Sequence, residues 1–218
     1  MSGIWLGIDT TSSPGGVALV QSGLLITESI LPVAGFHSEK LLPAIEAALN
    51  DSGISGKHLD GIGVSTGPGS YTGLRIGIST ALGLSSGWEV PLKGVSTLRV
   101  MAGSLPSGPV MCCIKARAGE VFAGAFTSSD PFSEELISPR LYSSHALLKL
   151  LDGRVFSCIG SGRTEISSPG LNWVLPLLDH PRPCVVAAFA SVRSEMEGFD
   201  RDLEPVYLRE FNQRVDLQ

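Results

Sequence analysis

Between Gly61 and Trp88 the chain carries a single charged residue, Arg75, and so long an uncharged stretch cannot face water on every side. It opens with GIGVS, a short apolar run that reads as a buried strand. It then passes through the turn TGPGS and continues as a helix over 71–87. Within that helix Gly73, Gly77, Ala81 and Ser85 recur every fourth residue as a stripe of small side chains, beside an apolar stripe of Leu74, Ile78 and Leu82. Gly73, Gly77 and Gly83 each cost a helix about 1 kcal/mol relative to alanine, so packing must return about 3 kcal/mol. Two arrangements satisfy this: a helix wholly inside the core, or one stripe on the protein's own sheet and the other beneath a second protein.

The turn itself is not a familiar phosphate loop. Gly67, Gly69 and Gly73 give G-x-G-x-x-x-G with no following lysine, which fits neither the Walker spacing nor the dinucleotide fingerprint. The start of the helix can still offer free N–H groups to an anion, or Ser70 can cap them.

Around this segment the chain alternates. IWLGID (4–9), GVALVQ (16–21) and LLITESIL (24–31) are β-rich runs separated by SSPGG and SG, as in an antiparallel meander. HSEKLLPAIEAALNDSG places Leu41, Leu42, Ile45, Ala48 and Leu49 at helical spacing, with Ser38 as N-cap, Pro43 as a bend and Gly53 as a stop. After the strand LKGVS the pattern partly repeats from about residue 106: a hairpin PVMCCIKARAGEVFAGAF, a helix near 143–151, a strand VFSCIG and a helix near 187–197. The expectation is an α/β fold of two related lobes, residues 1–105 and a shorter 106–218, each a mixed sheet covered by helices. The Pro/Gly/Ser stretch 103–109 is the expected boundary.

Composition excludes several classes. A net charge of −5 gives no excess of cations with which to grip many phosphates directly. Charged residues make up only 17% of the chain, which leaves uncharged surface for a partner to cover. The four cysteines lack metal-ligand spacing and read as buried thiols of a reducing compartment. The start MSGIWLGIDTT has no basic leader, and no run of about 20 apolar residues follows, so a soluble cytoplasmic protein without membrane contact is expected.

Candidate chemistry is sparse. Asp9, Thr10 and Thr11 end the first strand, where a carboxylate and two hydroxyls can hold a magnesium-bound phosphate or simply cap their own turn. The histidines at 37, 58, 145 and 180 contain no pair at metal-ligand spacing, and no serine stands in G-x-S-x-G.

GIDTT, HSEKLLPAI, STGPGSYTGLRIGISTALGLS, GVSTL, ARAGEVF and EPVYLR together resemble the bacterial TsaB family, also called YeaZ, over residues 7–209. The resemblance implies two ribonuclease-H-like lobes of the actin-like and sugar-kinase-like ATPase superfamily, the second lobe reduced. It also implies a non-catalytic subunit that dimerises with the transferase TsaD and works with TsaE. Their product is threonylcarbamoyladenosine beside the tRNA anticodon, made from an adenylate that TsaC supplies. In that family the first two helices form the face that pairs with TsaD or with a second copy. This makes Leu41, Ile45, Leu49, Gly73, Leu74, Gly77, Ile78, Ala81 and Leu82 the expected partner residues, with tRNA met only through the complex.

The paralogue TsaD carries a metal on H-x-x-x-H in its first helix, whereas this chain has His37 followed by Leu41 at the second position. No metal and no catalytic residue are therefore expected. If a nucleotide binds at the partner interface, Asp9, Thr10 and Thr11 are its contacts. One departure stands in the second-lobe hairpin, where the family's D-A-R-x-G-E-V-Y is Lys115-Ala116-Arg117-Ala118-Gly119-Glu120-Val121-Phe122, a reversal of charge at its first position. The competing reading is an autonomous ATP-dependent phosphotransferase of the same superfamily, resting on Asp9-Thr10-Thr11. A peptidase reading has neither a metal pair nor a serine motif behind it.

Overall fold

The structure, a computed structural model, describes residues 3–31, 37–105, 108–151 and 153–206. The expected meander is formed by β1 (Ile4–Asp9), β2 (Gly15–Gln21) and β3 (Leu24–Leu31), paired antiparallel. Ser22 and Gly23, both at positive φ, make the tight turn between β2 and β3, because that turn's twist matches the twist of the strands. β4 (Gly61–Ser65) joins the other side of β1 in parallel, and β5 (Leu92–Val95) lies parallel to β4. The first sheet thus has the order β3-β2-β1-β4-β5.

Two helices cover one face of it. α1 (His37–Asp51) and α2 (Tyr71–Trp88) bring Leu41, Ile45, Ile78 and Ala81 onto Leu6, Ile8, Ile62 and Val64 in one buried cluster. Ser38 lies inside α1 and so is not its cap, and the side chains of His37 and Ser38 lie outside the described residues.

After the short α3 (Thr97–Ala102), the second sheet repeats the first in topology. β6 (Val110–Arg117), β7 (Glu120–Phe126) and β8 (Glu135–Ser143) form a second meander; α4 (Ser144–Leu151) follows, and then β9 (Phe156–Ile159) and β10 (Leu171–Trp173) extend the sheet in parallel. Its order, β8-β7-β6-β9-β10 read from the meander edge, is that of the first sheet.

The last helix corrects the expected lobe membership. α5 (Pro183–Glu197) starts earlier than the pattern near 187 suggested, with Pro183 in its first turn, and packs on the first sheet rather than the second. The sequence accommodates it with glycines in the strands. A Cβ on Gly7 would lie 2.0 Å from the Pro183 carbonyl oxygen, and one on Gly63 would lie 2.6 Å from the Ala190 Cβ. Trp5, Val20 and Val95 of the sheet are buried with Val186, Ala187 and Ala190 of the helix. No helix among the described residues is long and apolar enough to cross a membrane.

Candidate functional site

Asp9, Thr10 and Thr11 leave β1 at the centre of the first sheet, and all three are buried, at 0%, 2% and 3% exposure. The turn 67–70 folds back over them. Ser70 donates its backbone N–H to the Thr11 carbonyl at 2.7 Å, and Thr10 donates Oγ1 to the Gly73 carbonyl at 2.6 Å. Added Cβ atoms on Gly69 and Gly73 would stand 2.5 Å from the Thr11 carbonyl oxygen and 1.9 Å from that of Thr10. The glycines therefore make room for close backbone packing. Ser70 caps α2 by accepting from the Gly73 N–H at 3.2 Å.

The side chains of Asp9, Thr10 and Thr11, the contacts expected for a nucleotide, are buried and fasten the turn. Thr11 donates Oγ1 to Asp9 Oδ1 at 2.9 Å. Asp9 Oδ2 and Ser65 Oγ, side by side at the ends of β1 and β4, are buried without a well-formed hydrogen bond. Burial raises the Asp9 pKa to about 6, against the lowering pull of Ser65 and Thr11.

Most of the two stripes of α2 faces inward. Gly73, Leu74, Gly77, Ile78 and Ala81 are buried, and Leu82 is half-buried. Gly77 sits over Thr10, where an added Cβ would be 2.3 Å from Oγ1. On α1, Leu41, Ile45 and Leu49 are core residues. Leu41 is sealed in the apolar core. Among the described residues no group of three or more His, Cys, Asp or Glu side chains could hold a metal ion.

What α2 turns outward is a third stripe: Thr72, Ile76, Ser79, Thr80, Gly83 and Gly87, exposed or half-buried and without charge. Arg75 beside it stacks on Tyr71, 4.3 Å from the ring centroid. An added Cβ on Gly83 or Gly87 would meet nothing within 4 Å, so neither glycine is required by the protein's own packing. Leu42 of α1 is 47% exposed on the same side of the sheet. The sequence carried a signal for this face, since Gly83 and Gly87 are four apart on a helix, but their spacing fell outside the stripe of Gly73 and Gly77.

In the second lobe, Lys115 is not left as an unpaired reversal of charge. Its Nζ lies 2.6 Å from Glu165 Oε1, and Glu165 Oε2 accepts the Gly119 N–H at the hairpin turn at 2.9 Å.

Two sheets of identical strand order, each a meander extended by parallel strands and covered by helices, place the chain in the α/β class with two lobes of one topology. A family model described as "TsaD: tRNA N6-adenosine threonylcarbamoyltransferase" matches residues 32–155. A Haemophilus influenzae "tRNA threonylcarbamoyladenosine biosynthesis protein TsaB" is 32% identical over 94% of this chain and 92% of its own length. The Bacillus subtilis protein of that name is 34% identical over 61% of this chain, and the chain spans 58% of its length. The solved "YeaZ from Pseudomonas aeruginosa" superposes with a TM-score of 0.78 at 25% identity, covering 95% of this chain and 100% of its own. The chain belongs to the TsaB family, also called YeaZ.

Proposed function

We propose that this chain serves tRNA threonylcarbamoyladenosine biosynthesis as a non-catalytic subunit. It holds the transferase TsaD, with TsaE, through the outer face of α1 and α2. The observation behind this reading is the pair Gly83 and Gly87. Each glycine weakens the helix by about 1 kcal/mol, and neither has an intramolecular neighbour that would forbid a side chain. Small residues at such spacing let another helix approach closely, and Thr72, Ser79, Thr80, Gly83 and Gly87 line that face. Catalysis by this chain has little to stand on. The strand-end carboxylate is sealed under its own turn, and the resemblance puts Leu41 where the paralogue would need a ligand.

The test is co-purification with TsaD. Gly83→Arg and Gly87→Arg should fold like the parent by circular dichroism, yet lose TsaD and the threonylcarbamoyl transfer that depends on it. Gly77→Arg should unfold the lobe, because it drives a charge into Thr10. If both folded variants still bound TsaD and supported full transfer, the outer face of α2 would not be the partner surface.

A further inference from the structure

α3 lies between the two sheets. Leu98, Met101 and Ala102 are buried with Val110, Cys112, Phe126 and Ile159 of the second sheet. Behind them, Gly103 lies so close to α5 that an added Cβ would be 2.4 Å from the Phe189 ring.

Over this apolar layer, residues 127–134, which connect β7 to β8, are gripped by two arginines from the other side. Arg99 of α3 donates Nη1 to the Ser133 carbonyl at 2.9 Å and Nη2 to Glu135 Oε1 at 3.2 Å, with its guanidinium 4.6 Å from the Phe126 ring centroid. Arg193 of α5 donates Nη1 to the Pro131 carbonyl at 3.1 Å and lies 5.5 Å from the Phe132 ring centroid. Its Nη2 is fixed by Glu197 Oε1 at 2.7 Å. The connection is stiffened from within, since Asp130 accepts the Phe132 N–H at 2.8 Å on Oδ1 and the Ser133 hydroxyl at 2.8 Å on its carbonyl.

We propose that the β7–β8 connection is a closed strap, by which Arg99 and Arg193 bind the second sheet to α3 and α5 so that the two lobes form one mechanical unit. Hinge closure around a ligand needs an interface that can part at low cost. Here parting would strip both guanidiniums from the carbonyls of Pro131 and Ser133 and wet the layer around Leu98, Met101 and Phe126. The chain therefore enters any assembly with its lobes already fixed, and the proposal stands independently of which partner α2 meets.

Native-state hydrogen exchange of the full chain at rising urea, read by mass spectrometry, tests this. In the parent, the slowest amides of β1 and β4 and those of β6 and β7 should open at the same urea concentration and with the same slope. In Arg99→Ala/Arg193→Ala, protection in β6 and β7 should fall by about tenfold or more below that in β1 and β4, as expected for losing hydrogen bonds to charged groups. Separate openings in the parent would overturn the proposal, and so would an alanine pair whose sheets still open together. If the alanine pair does not fold, Arg99→Lys/Arg193→Lys keeps both charges but not the planar fork and is read by the same criterion.

Discussion

Asp9→Asn should reverse part of the protein's pH dependence. The Asp9 carboxyl is fully buried, and its pKa is lifted from the ordinary 3.8 to about 6, with burial as the largest cause. The folded chain therefore keeps a proton over a range in which the unfolded chain has released it. Stability from this group is complete below about pH 4, falls as the pH rises toward 6, and levels off above that. A gap of about two pH units at about 1.4 kcal/mol each comes to about 3 kcal/mol. Asparagine imitates the neutral acid: its oxygen can accept from Thr11, and its amide can donate to Ser65 Oγ, which otherwise lacks a well-formed partner. Urea unfolding followed by tryptophan fluorescence, run on both proteins from pH 4 to 7.5, isolates the effect, because all other titrating groups cancel in the difference. Asp9→Asn should gain about 3 kcal/mol on the parent between pH 4 and 7. Parallel stability curves, differing by a constant across that range, would refute the argument that burial holds a proton on Asp9.

Glu28 should show the opposite sign. Burial pushes its pKa up, but the Arg182 guanidinium and the Cys184 N–H outweigh burial and hold the carboxylate below its ordinary 4.5. Glu28→Gln should then cost about 1 kcal/mol at neutral pH, a modest figure because Arg182 is partly exposed. The cost should shrink as the pH falls through the folded value, measured by the same urea titrations. Thiol reactivity gives an independent check on the core of the second sheet. Cys112, Cys113 and Cys158 are buried with pKa values pushed up by burial, to about 12 for Cys158, while Cys184 is half-buried and raised to about 11. Iodoacetamide at pH 8 should leave all four largely unmodified in the native chain and label all four in urea, and rapid native labelling of Cys113 or Cys158 would contradict the packing of β6 on β9.

The first lobe was legible where the sequence is periodic. β1 to β4, α1 and α2 stand within a residue or two of their expected places, since alternation and four-residue spacing are local signals. The second lobe was less so. β8 contains Pro139, which argues against a central strand; it is tolerated here because β8 is an edge strand paired only with β7. α3, with six residues, and β10, with three, are too short to display a period at all. The return of α5 to the first sheet is a long-range event. Its trace in the sequence is the placement of glycines such as Gly7 and Gly63 within the strands that α5 covers.

Which face of α2 turns outward was not legible for a related reason. A helix without charges has no polar side to mark which way it is turned, and α2 has small residues on more than one face. Spacing alone groups Gly73 with Gly77 and Ala81, a grouping the structure keeps intact. Whether such a stripe serves the protein or a partner depends on what stands opposite each missing side chain. Gly73 and Gly77 face the Thr10 carbonyl and hydroxyl, at distances no Cβ could share, whereas Gly83 and Gly87 face open space. The inner glycines therefore answer to the fold and the outer ones do not. A substitution series along α2 should accordingly separate into variants that lose structure and variants that lose association, with the division falling between these two pairs.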